Sequence, residues 1–356
     1  MVEYEVVVVG CGPAGSLALG KCAELGLRAV GLEACKMPRS KPCAGVLYPR
    51  VLEDFDVPTS SISARLRGVR IVAPSGNEAL VEFEEPGAVV RRDLFDYALA
   101  KRAVAQGATI VDGTKVARVE VEKGGCAVLL DNGGVVKAKF VIAADGAAST
   151  VARALGKQWK ETELALAVQA ELEVPEEEKR RIEGIFEVYY DSKRTPGGWA
   201  WVVGRRDCVL AGLGYPLAYA SSPREFGEKL RSFLAWRFRS FRVAGLESHP
   251  IPIAGPRPKE ELVSTGRVLF AGDAGGFVRK DTGEGVYYAM LSGVAAAEAV
   301  YACHSDPEDL AEDYYRALEE YGLHQLYTPT ELAEVLLDDR EIEKFVERLR
   351  KLCEWH

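Results

Sequence analysis

Apolar and polar positions alternate along the chain in a way that predicts strands and helices in turn. Val6–Val9 form a β-branched run, which is typical of a strand buried on both faces. The apolar stretch from Ala14 to Leu25 predicts a helix that ends at Gly26, and Arg28–Leu32 predicts the next strand. Two later runs, 140–144 and 268–271, predict further buried strands of the same parallel sheet.

Other parts of the chain alternate with a period of two and contain turn residues, which predicts antiparallel strands. A hairpin is expected at 66–73 and 79–83, and a three-stranded meander at 116–122, 127–130 and 135–138. Further strands are expected at 164–174, 184–190, 198–203 and 209–213, followed by a helix at 223–239. The residues from 307 onward predict two or three amphipathic helices.

These elements predict an α/β protein with a Rossmann-like domain, an inserted, mostly antiparallel β-sheet domain and C-terminal helices. The predicted Rossmann-like domain is discontinuous and comprises residues 1–65, 84–155 and 256–305. The predicted antiparallel domain comprises 66–83 and 156–255, and the C-terminal helical segment comprises 306–356.

Chemistry is first indicated by the turn that follows the first strand. Gly10, Gly12 and Gly15 form a G-x-G-x-x-G turn between a strand and a helix. The first glycine permits the tight turn, the second lets the backbone approach a pyrophosphate, and the third lets helix and strand pack closely. Glu33 ends the second strand, 18 residues after Gly15 (33 − 15 = 18), about the spacing at which a carboxylate reaches a ribose hydroxyl. The turn therefore predicts a dinucleotide site.

Three more segments each place glycines and a carboxylate where we expect them to reach the cofactor. Asp145-Gly146 and Gly272-Asp273 follow predicted strands, and Asp273 suits the ribityl or ribose hydroxyls of FAD. Gly283-Glu284-Gly285 opens a helix whose positive N-terminal end suits the anionic edge of a reduced flavin. Arg92 is expected to contact a phosphate or ribose.

Composition narrows the class of protein. The 356 residues carry a formal charge of −8, which argues against nucleic-acid binding. The apolar run 286–302 contains Glu298 and predicts a buried helix rather than a membrane span. The eight cysteines show no C-x-x-C spacing, and the four histidines do not cluster with them, so no metal is expected. Few Asn, Gln and Met with many Glu, Arg and Val favour a thermophilic source.

Together these motifs resemble the FAD-dependent family that includes p-hydroxybenzoate hydroxylase, and within it the geranylgeranyl reductases, with an archaeal-like character. The resemblance spans residues 1 to about 305. Its marks are Lys41-Pro42-Cys43-Ala44-Gly45, Arg92-Asp93, Asp145-Gly146, and 272–278 followed by 282–285. Residues 196–204 are similar to the substrate-pocket motif P-x-x-Y-x-W-x-F-P, with Trp199 for Tyr, Val203 for Phe and Gly204 for the last Pro.

The resemblance implies FAD as cofactor and reduction of prenyl C=C bonds as activity. The residues expected to bind the cofactor are Gly10, Gly12, Pro13, Ala14, Gly15, Glu33, Ala34, Cys43, Ala44, Gly45, Arg92, Val116, Asp145, Gly146, Gly272, Asp273, Gly283, Glu284 and Gly285. The substrate is expected to be a prenyl lipid or prenyl diphosphate, with the exact compound left open.

Cys43 is the predicted catalytic residue, because a small polarisable side chain could position the alkene or relay a proton. The alternative is a cysteine that is merely buried in a tight loop. Trp199 and Trp201 alternate on one strand and so share a face, which either lines a prenyl tunnel or belongs to the core. Tyr189 and Tyr215 are weaker candidates for the same pocket.

Two other functions stay open at this point. One is a flavin-dependent monooxygenase, an aromatic hydroxylase or halogenase-like enzyme, although the Ile-Pro expected after W-x-W in halogenases is missing after Trp201. The other is a flavoprotein without catalysis. A second G-x-G-x-x-G in a strand-and-helix context is missing, so electrons are expected from an external donor: ferredoxin, a deazaflavin or transiently docked NAD(P)H. We expect a cytoplasmic protein, peripheral at the membrane if its substrate is a lipid.

Overall fold

The computed structural model describes residues 4–303, 308–328 and 332–353. The chain folds into two compact units, each assembled from three separate segments. The first unit comprises Met1–Ser40, Asp96–Lys160 and Pro252–Pro329, and the second comprises Lys41–Phe95, Glu161–Ile251 and Thr330–His356. His304, His356 and the predicted start of the C-terminal segment at residue 306 lie outside the described residues.

The strands are β1 (Tyr4–Val9), β2 (Ala29–Glu33), β3 (Val46–Leu47), β4 (Ile62–Val72), β5 (Glu78–Val90), β6 (Thr109–Asp112), β7 (Val116–Glu122), β8 (Gly125–Leu130), β9 (Val135–Ala143), β10 (Leu164–Glu173), β11 (Ile185–Tyr189), β12 (Trp199–Gly204), β13 (Val209–Pro216), β14 (Arg242–Pro252), β15 (Val263–Ser264) and β16 (Val268–Phe270). The helices are α1 (Pro13–Glu24), α2 (Pro49–Asp54), α3 (Arg92–Ala105), α4 (Thr150–Ala154), α5 (Glu176–Ile182), α6 (Pro223–Arg237), α7 (Lys259–Leu262), α8 (Val286–Ala302), α9 (Leu310–Glu320), α10 (Leu332–Val335) and α11 (Asp339–Cys353).

The first unit is built on a sheet with the strand order β15-β16-β9-β1-β2-β6, in which β16, β9, β1, β2 and β6 pair in parallel. Val6, Val7 and Val8 are fully buried at its centre, as the apolar run predicts. Gly15 lets α1 approach the turn after β1, and Gly293 lets α8 approach α1. A Cβ at either position would overlap backbone atoms. This is the predicted Rossmann-like arrangement.

One prediction for this sheet was wrong in detail. The residues predicted as a meander strand and a separate buried strand form one continuous strand, β9. Its first half pairs with β8 in antiparallel fashion, and its second half pairs with β1 in parallel. Lys139 lies between the two halves and fits the alternation of an extended strand, so the chain does not turn there.

The second unit contains a sheet with the order β14-β10-β13-β12-β11-β4-β5-β3. The pairs β10–β13, β13–β12, β12–β11, β4–β5 and β5–β3 are antiparallel and the pair β11–β4 is parallel, which agrees with the predicted mostly antiparallel layer. One face packs against Phe226, Leu230 and Phe233 of α6. The other face packs in part against Ile342 and Val346 of α11. The predicted α/β class, with a Rossmann-like part, an antiparallel sheet and C-terminal helices, is confirmed.

The C-terminal helices divide between the two units. In the first unit, Tyr314 of α9 is fully buried and its hydroxyl donates to the backbone oxygen of Phe270 at 2.9 Å. In the second unit, Leu336, which follows α10, is buried, as are Ile342 and Val346 of α11. Within the described ranges, each helix is too short or too polar to span a bilayer.

Candidate functional site

The glycine turn after β1 has the conformation that the motif requires. Gly10 has a φ of +89°, and a Cβ there would lie 2.5 Å from the backbone oxygen of Ala144. A Cβ on Gly15 would lie only 1.8 Å from the backbone oxygen of Gly10, so this position must be glycine for helix and turn to pack. Gly12 is the N-cap of α1 and Pro13 follows it at the first helical position. The helix N-terminus therefore directs its dipole toward this turn.

Glu33 lies at the end of β2 and is buried beside the same turn. Its Oε2 accepts a hydrogen bond from the backbone N–H of Cys11 at 3.0 Å, and its Oε1 accepts from that of Cys35 at 3.1 Å. Each carboxylate oxygen has two acceptor positions, so Glu33 retains capacity for a ribose hydroxyl. Ala34 is exposed directly after Glu33.

Sequence analysis missed Arg39, which links two acidic groups beside the turn, Glu33 and Asp96. Its Nε lies 3.3 Å from Glu33 Oε1, and its Nη1 donates to Asp96 Oδ2 at 3.2 Å. A Cβ on Gly12 would lie 3.4 Å from Arg39 Nη2, so the guanidinium borders the position where the motif expects a pyrophosphate. The signal in the sequence was weak, because Arg39 is one of three basic residues, with Lys36 and Lys41, in the loop that follows Glu33.

The glycine-rich segment after β16 meets α1. Gly272 has a φ of +59°, and a Cβ there would lie 3.0 Å from the Cβ of Ala14. The hydroxyl of Ser292 in α8 accepts a hydrogen bond from the backbone N–H of Gly272 at 2.9 Å, which fixes this segment on α8. The structure therefore brings Ala14 and Gly272 together, as predicted for two parts of one nucleotide site.

Asp273 lies beside the start of α8. A Cβ on Gly285 would lie 3.6 Å from Asp273 Oδ1, and Gly285 is the N-cap of this 17-residue helix. Gly283 adopts a φ of +66°, which lets the preceding loop turn into the helix, and Glu284 lies between the two glycines. A carboxylate and a helix N-terminus thus lie side by side, so one segment offers an acceptor and the next offers backbone donors.

Asp145 has a structural role that the sequence did not indicate. Its Oδ2 accepts the backbone N–H groups of Thr150 and Val151 at 2.7 and 3.2 Å, and its Oδ1 accepts the hydroxyl of Ser149 at 2.6 Å. The carboxylate therefore caps α4. Loss of hydration is the largest effect on this group and raises its pKa above the ordinary value. Gly146 follows with a φ of +80°.

Val116 and Arg92 are both buried. Val116 lies in the core of the first unit, and its strand β7 packs beside β8. Arg92 is the first residue of α3 and is 6% exposed. Their predicted contact with the cofactor stays a prediction. Among the residues that the structure describes, no group of three or more His, Cys, Asp or Glu side chains is arranged to hold a metal ion.

The loop that carries Cys43 belongs to the second unit. Gly45 has a φ of +76°, and a Cβ there would lie 2.2 Å from the backbone oxygen of Val90. The backbone N–H of Gly45 donates to Cys43 Sγ at 3.3 Å, and Ala44 and Cys43 are half-buried. These contacts fix the loop while leaving the thiol partly accessible.

Two side chains that sequence analysis missed hold the same loop. Gln169 Nε2 and Arg205 Nη2 both approach the backbone oxygen of Cys43, each at 3.4 Å. Lys41, two residues before Cys43, contacts the ring of His249. Nothing in the local sequence of β10 or of the turn after β12 indicated these contacts, because they depend on which strands pair.

The four predicted pocket residues lie on two opposite faces of the second sheet. Trp199 and Trp201 share a face with Val188 and Val203. Tyr189 and Tyr215 lie on the other face, beneath α6. Tyr215 stacks on Phe226 with ring centroids 4.2 Å apart.

Tyr189 is part of a buried ionic network. Its hydroxyl donates to Glu187 Oε2 at 2.6 Å, and Arg237 Nη2 lies 2.9 Å from the same oxygen. Arg70 Nη1 donates to Glu187 Oε1 at 3.1 Å. Burial and the Glu187 carboxylate raise the pKa of the Tyr189 phenol above its ordinary value. These contacts hold α6 on the sheet.

Comparison with known proteins agrees with this geometry. Residues 3–207 match the FAD binding domain family. The chain is 32% identical over 349 residues to geranylgeranyl diphosphate reductase of Oryza sativa subsp. japonica, with 92% of this chain and 73% of that protein covered. It is also 32% identical to digeranylgeranylglycerophospholipid reductase of Methanocella arvoryzae, with 85% and 78% covered.

A solved structure shares the fold across nearly the whole chain. The crystal structure of a geranylgeranyl bacteriochlorophyll reductase-like protein from Thermoplasma acidophilum superimposes with a TM-score of 0.85 at 23% sequence identity. The match covers 98% of this chain and 91% of that one. Both the nucleotide-binding unit and the second unit therefore have counterparts in one known fold.

Proposed function

We propose, from the premise that this chain belongs to the geranylgeranyl reductase family of FAD-binding proteins, that it saturates C=C bonds of geranylgeranyl or related prenyl chains. The observation that carries the proposal is the extent of the sequence likeness. At 32% identity over 92% of the chain, the likeness includes the second unit and is not confined to the FAD-binding domain. The second unit holds the Cys43 loop and the two tryptophans, the residues that we connect with the substrate.

The residues of the first unit fit FAD. The turn at Gly10, Gly12 and Gly15 leaves room for a pyrophosphate at the start of α1, where no acidic residue lies in the first turn. Glu33 and Asp273 supply acceptors for ribose and ribityl hydroxyls, and the N-terminus of α8, which begins after its N-cap Gly285, supplies backbone N–H groups. In its reduced form, bound FAD would supply the hydride for reduction of the alkene.

We assign the reacting thiol to Cys43. Reduction of an unactivated alkene also needs a proton and a geometry that holds the double bond still. The thiol is half-buried, its Sγ accepts the N–H of Gly45, and its carbonyl is held by Gln169 and Arg205. These contacts favour a side chain with a fixed position, which is what alignment of a substrate or transfer of a proton requires.

The prenyl chain is assigned to the face of the second sheet that carries Trp199 and Trp201. This face is apolar, since Val188, Val203 and Leu210 lie beside the indoles. An apolar surface that excludes water suits an isoprenoid chain. Tyr189 and Tyr215 are left out of this assignment because they pack beneath α6 on the opposite face.

The electron donor and the membrane contact are part of the proposal. We propose a separate donor, a ferredoxin, a deazaflavin or docked NAD(P)H, and peripheral contact of this cytoplasmic protein with a membrane when the substrate is a lipid. Chemical reduction replaces the donor in the test below, so the result does not depend on its identity.

The test is anaerobic. The purified protein with bound FAD is reduced with dithionite and mixed with geranylgeranyl diphosphate or a geranylgeranylated glycerol lipid. We expect the flavin spectrum to return to the oxidised form without oxygen, and the lipid to gain two mass units for each bond reduced. Flavin that stays reduced until air is admitted would contradict the reductase and favour an oxygen-using flavoenzyme. No response to substrate in either condition would indicate a flavoprotein without catalysis.

The role of Cys43 is tested by Cys43→Ala, with Cys353→Ala as the matched control. Cys353 is the last residue of α11 and is also a half-buried free thiol. We expect both variants to retain FAD, and only Cys43→Ala to lose turnover, by about 100-fold or more if the thiol transfers a proton. Equal turnover in the two variants would remove Cys43 from the mechanism.

A further inference from the structure

Two buried polar atoms without partners among the described residues belong to one row of paired residues on the same face of the second sheet. Gln169 of β10 lies opposite Gly212 of β13, and Gly212 lies opposite Trp201 of β12. Residues in such a row project from the same face of a sheet. A Cβ on Gly212 would lie 2.3 Å from Trp201 Cζ2, so the indole lies over the glycine, toward β10 and Gln169.

The orientation of the Gln169 amide follows from its neighbours. Its Nε2 approaches the backbone oxygen of Cys43 at 3.4 Å and Glu247 Oε2 at 3.1 Å. Both neighbours are acceptors, so the nitrogen must be on this side and the oxygen on the other. Within the described residues, Gln169 Oε1 is buried with no hydrogen-bond partner.

The indole nitrogen of Trp201 also lacks a hydrogen-bond partner among the described residues. This Nε1 atom is buried, and no described residue accepts its proton. Gln169 is 5% exposed and Trp201 is 7% exposed, so bulk water does not reach either group freely. Buried polar atoms are nearly always paired, and an unpaired donor next to an unpaired acceptor indicates a ligand with matching groups.

The two atoms define the chemistry of that ligand. Gln169 Oε1 needs a donor and Trp201 Nε1 needs an acceptor, and a hydroxyl group is both at once. An ionised phosphate oxygen only accepts, so it would leave Gln169 Oε1 unpaired. The carboxylate of Glu247, bonded to the Gln169 amide, also disfavours an anion at this position. Arg205 Nε is a further buried donor without a partner among the described residues, and its Nη2 shares the Cys43 oxygen with Gln169.

We propose that Gln169 Oε1 and Trp201 Nε1 bind one neutral hydroxyl group on this face of the sheet, beside the Cys43 loop. The hydroxyl comes either from a water molecule or from an alcohol group of the prenyl substrate. The substrate source depends on the proposed reductase function, whereas the water source does not. In both cases Gln169 connects the bound hydroxyl to the backbone of Cys43 through its amide nitrogen.

The test observes the indole itself. The FAD-bound protein is labelled with ¹⁵N-tryptophan, and the Trp201 indole resonance is assigned from Trp201→Phe. Trp159 provides an internal reference, because its Nε1 donates to the backbone oxygen of Asp273 at 3.1 Å. The probes are geranylgeraniol and geranylgeranyl diphosphate, which differ only at the head group.

Two results support the proposal, and they distinguish water from substrate as the source of the hydroxyl group. If water is the source, the Trp201 indole proton shows a cross-peak to a long-lived water without any ligand, and Gln169→Leu abolishes that cross-peak. If the substrate is the source, geranylgeraniol moves the Trp201 resonance and geranylgeranyl diphosphate does not. Gln169→Leu is then expected to weaken geranylgeraniol binding about tenfold, the effect of about one hydrogen bond, and to change diphosphate binding less than twofold.

Two results overturn the proposal. One is a Trp201 resonance that has no water contact and does not respond to Gln169→Leu or to either probe. The other is a resonance that responds to the diphosphate but not to the alcohol, which would indicate a phosphate site. If Gln169→Leu fails to fold, as judged by circular dichroism, Trp201→Phe removes the N–H donor while keeping an aromatic ring. Calorimetry then applies the same criterion: geranylgeraniol binding weakens about tenfold and diphosphate binding changes less than twofold, so that the shared loss of ring contact is separated from the loss of the hydrogen bond. Absence of reductase turnover together with a Trp201 response would refute the proposed function and leave the hydroxyl site standing.

Discussion

Gly12→Ala separates cofactor binding from folding in this protein. Gly12 has an ordinary φ of −73°, and a Cβ there would lie 3.4 Å from Arg39 Nη2 and 4.0 Å from Asp96 Oδ2. These are normal van der Waals distances, so the folded protein accommodates the methyl group. The methyl group nevertheless occupies the surface where the backbone must approach a pyrophosphate. We therefore expect the flavin-free protein to change in stability by less than about 1 kcal/mol.

Gly15→Ala provides the contrast. Its Cβ would lie 1.8 Å from the backbone oxygen of Gly10, about 1.6 Å closer than the 3.4 Å at which ordinary contact begins. Neither atom belongs to a flexible side chain, so α1 must move away from the turn. We expect a loss of stability of about 3 kcal/mol, the upper end for overpacking in a core. Gly227→Ala in α6 is the matched control, because a Cβ there meets no atom within 4 Å and alanine favours the helix by about 1 kcal/mol.

The assay has two measurements. Urea unfolding of the flavin-free proteins gives stability, and quenching of flavin fluorescence gives the Kd of FAD. We expect Gly12→Ala to weaken FAD binding at least tenfold, or about 1.4 kcal/mol, with stability unchanged. We expect Gly15→Ala to lose both stability and FAD binding, and Gly227→Ala to retain both. The reasoning is refuted if Gly12→Ala binds FAD as the parent does, or if it loses as much stability as Gly15→Ala.

Further predictions concern thiols and buried charges. Iodoacetamide at pH 8 should label exposed Cys35 within minutes and leave Cys126 unmodified by peptide mapping, because burial raises the pKa of the Cys126 thiol to about 11. Arg237→Met should lower stability by about 3 kcal/mol in urea unfolding, since it removes one of the two arginines that pair with buried Glu187; a loss under about 1 kcal/mol would contradict this. The pKa of Asp145 is raised in the folded state, so ionised Asp145 costs stability as the pH rises above the unfolded value near 3.8. Asp145→Asn keeps an acceptor for the cap, so its free energy of unfolding should increase relative to that of the parent between pH 4 and 6, as measured by chemical unfolding. A difference in unfolding free energy that stays constant over this pH range would contradict the raised pKa.

The parts of the fold that depend on neighbouring residues were predictable from the sequence. The run Val6–Val9, the glycines after it and Glu33 are all within one strand-turn-helix-strand unit, whose geometry is set by local patterns. The proximity of Gly272 to Ala14 could also be anticipated, because parallel strands bring their carboxyl ends to one edge of a sheet.

The parts that depend on pairing between distant strands were not predictable. Arg39, Gln169 and Arg205 are not themselves part of a motif, and their importance comes from the groups they contact 57, 126 and 162 residues away in the chain. Asp145 was predicted as a cofactor ligand from its place after a strand, but the same position also caps α4. A short pattern cannot distinguish these two uses of a carboxylate.

The faces of the second sheet show why alternation alone was insufficient for the substrate pocket. Period two places Trp199 and Trp201 together because they share a strand, but Tyr189 and Tyr215 belong to other strands, so their side depends on register. In the observed register, Trp201 lies opposite Val188, which places the neighbouring Tyr189 on the α6 face. The α6 face is then closed by stacked aromatics and by the Glu187–Arg237 ion pair. The tryptophan face instead carries Gln169, whose amide reaches the Cys43 carbonyl, so the two tryptophans that we assign to the substrate share a face with the side chain that contacts the Cys43 loop.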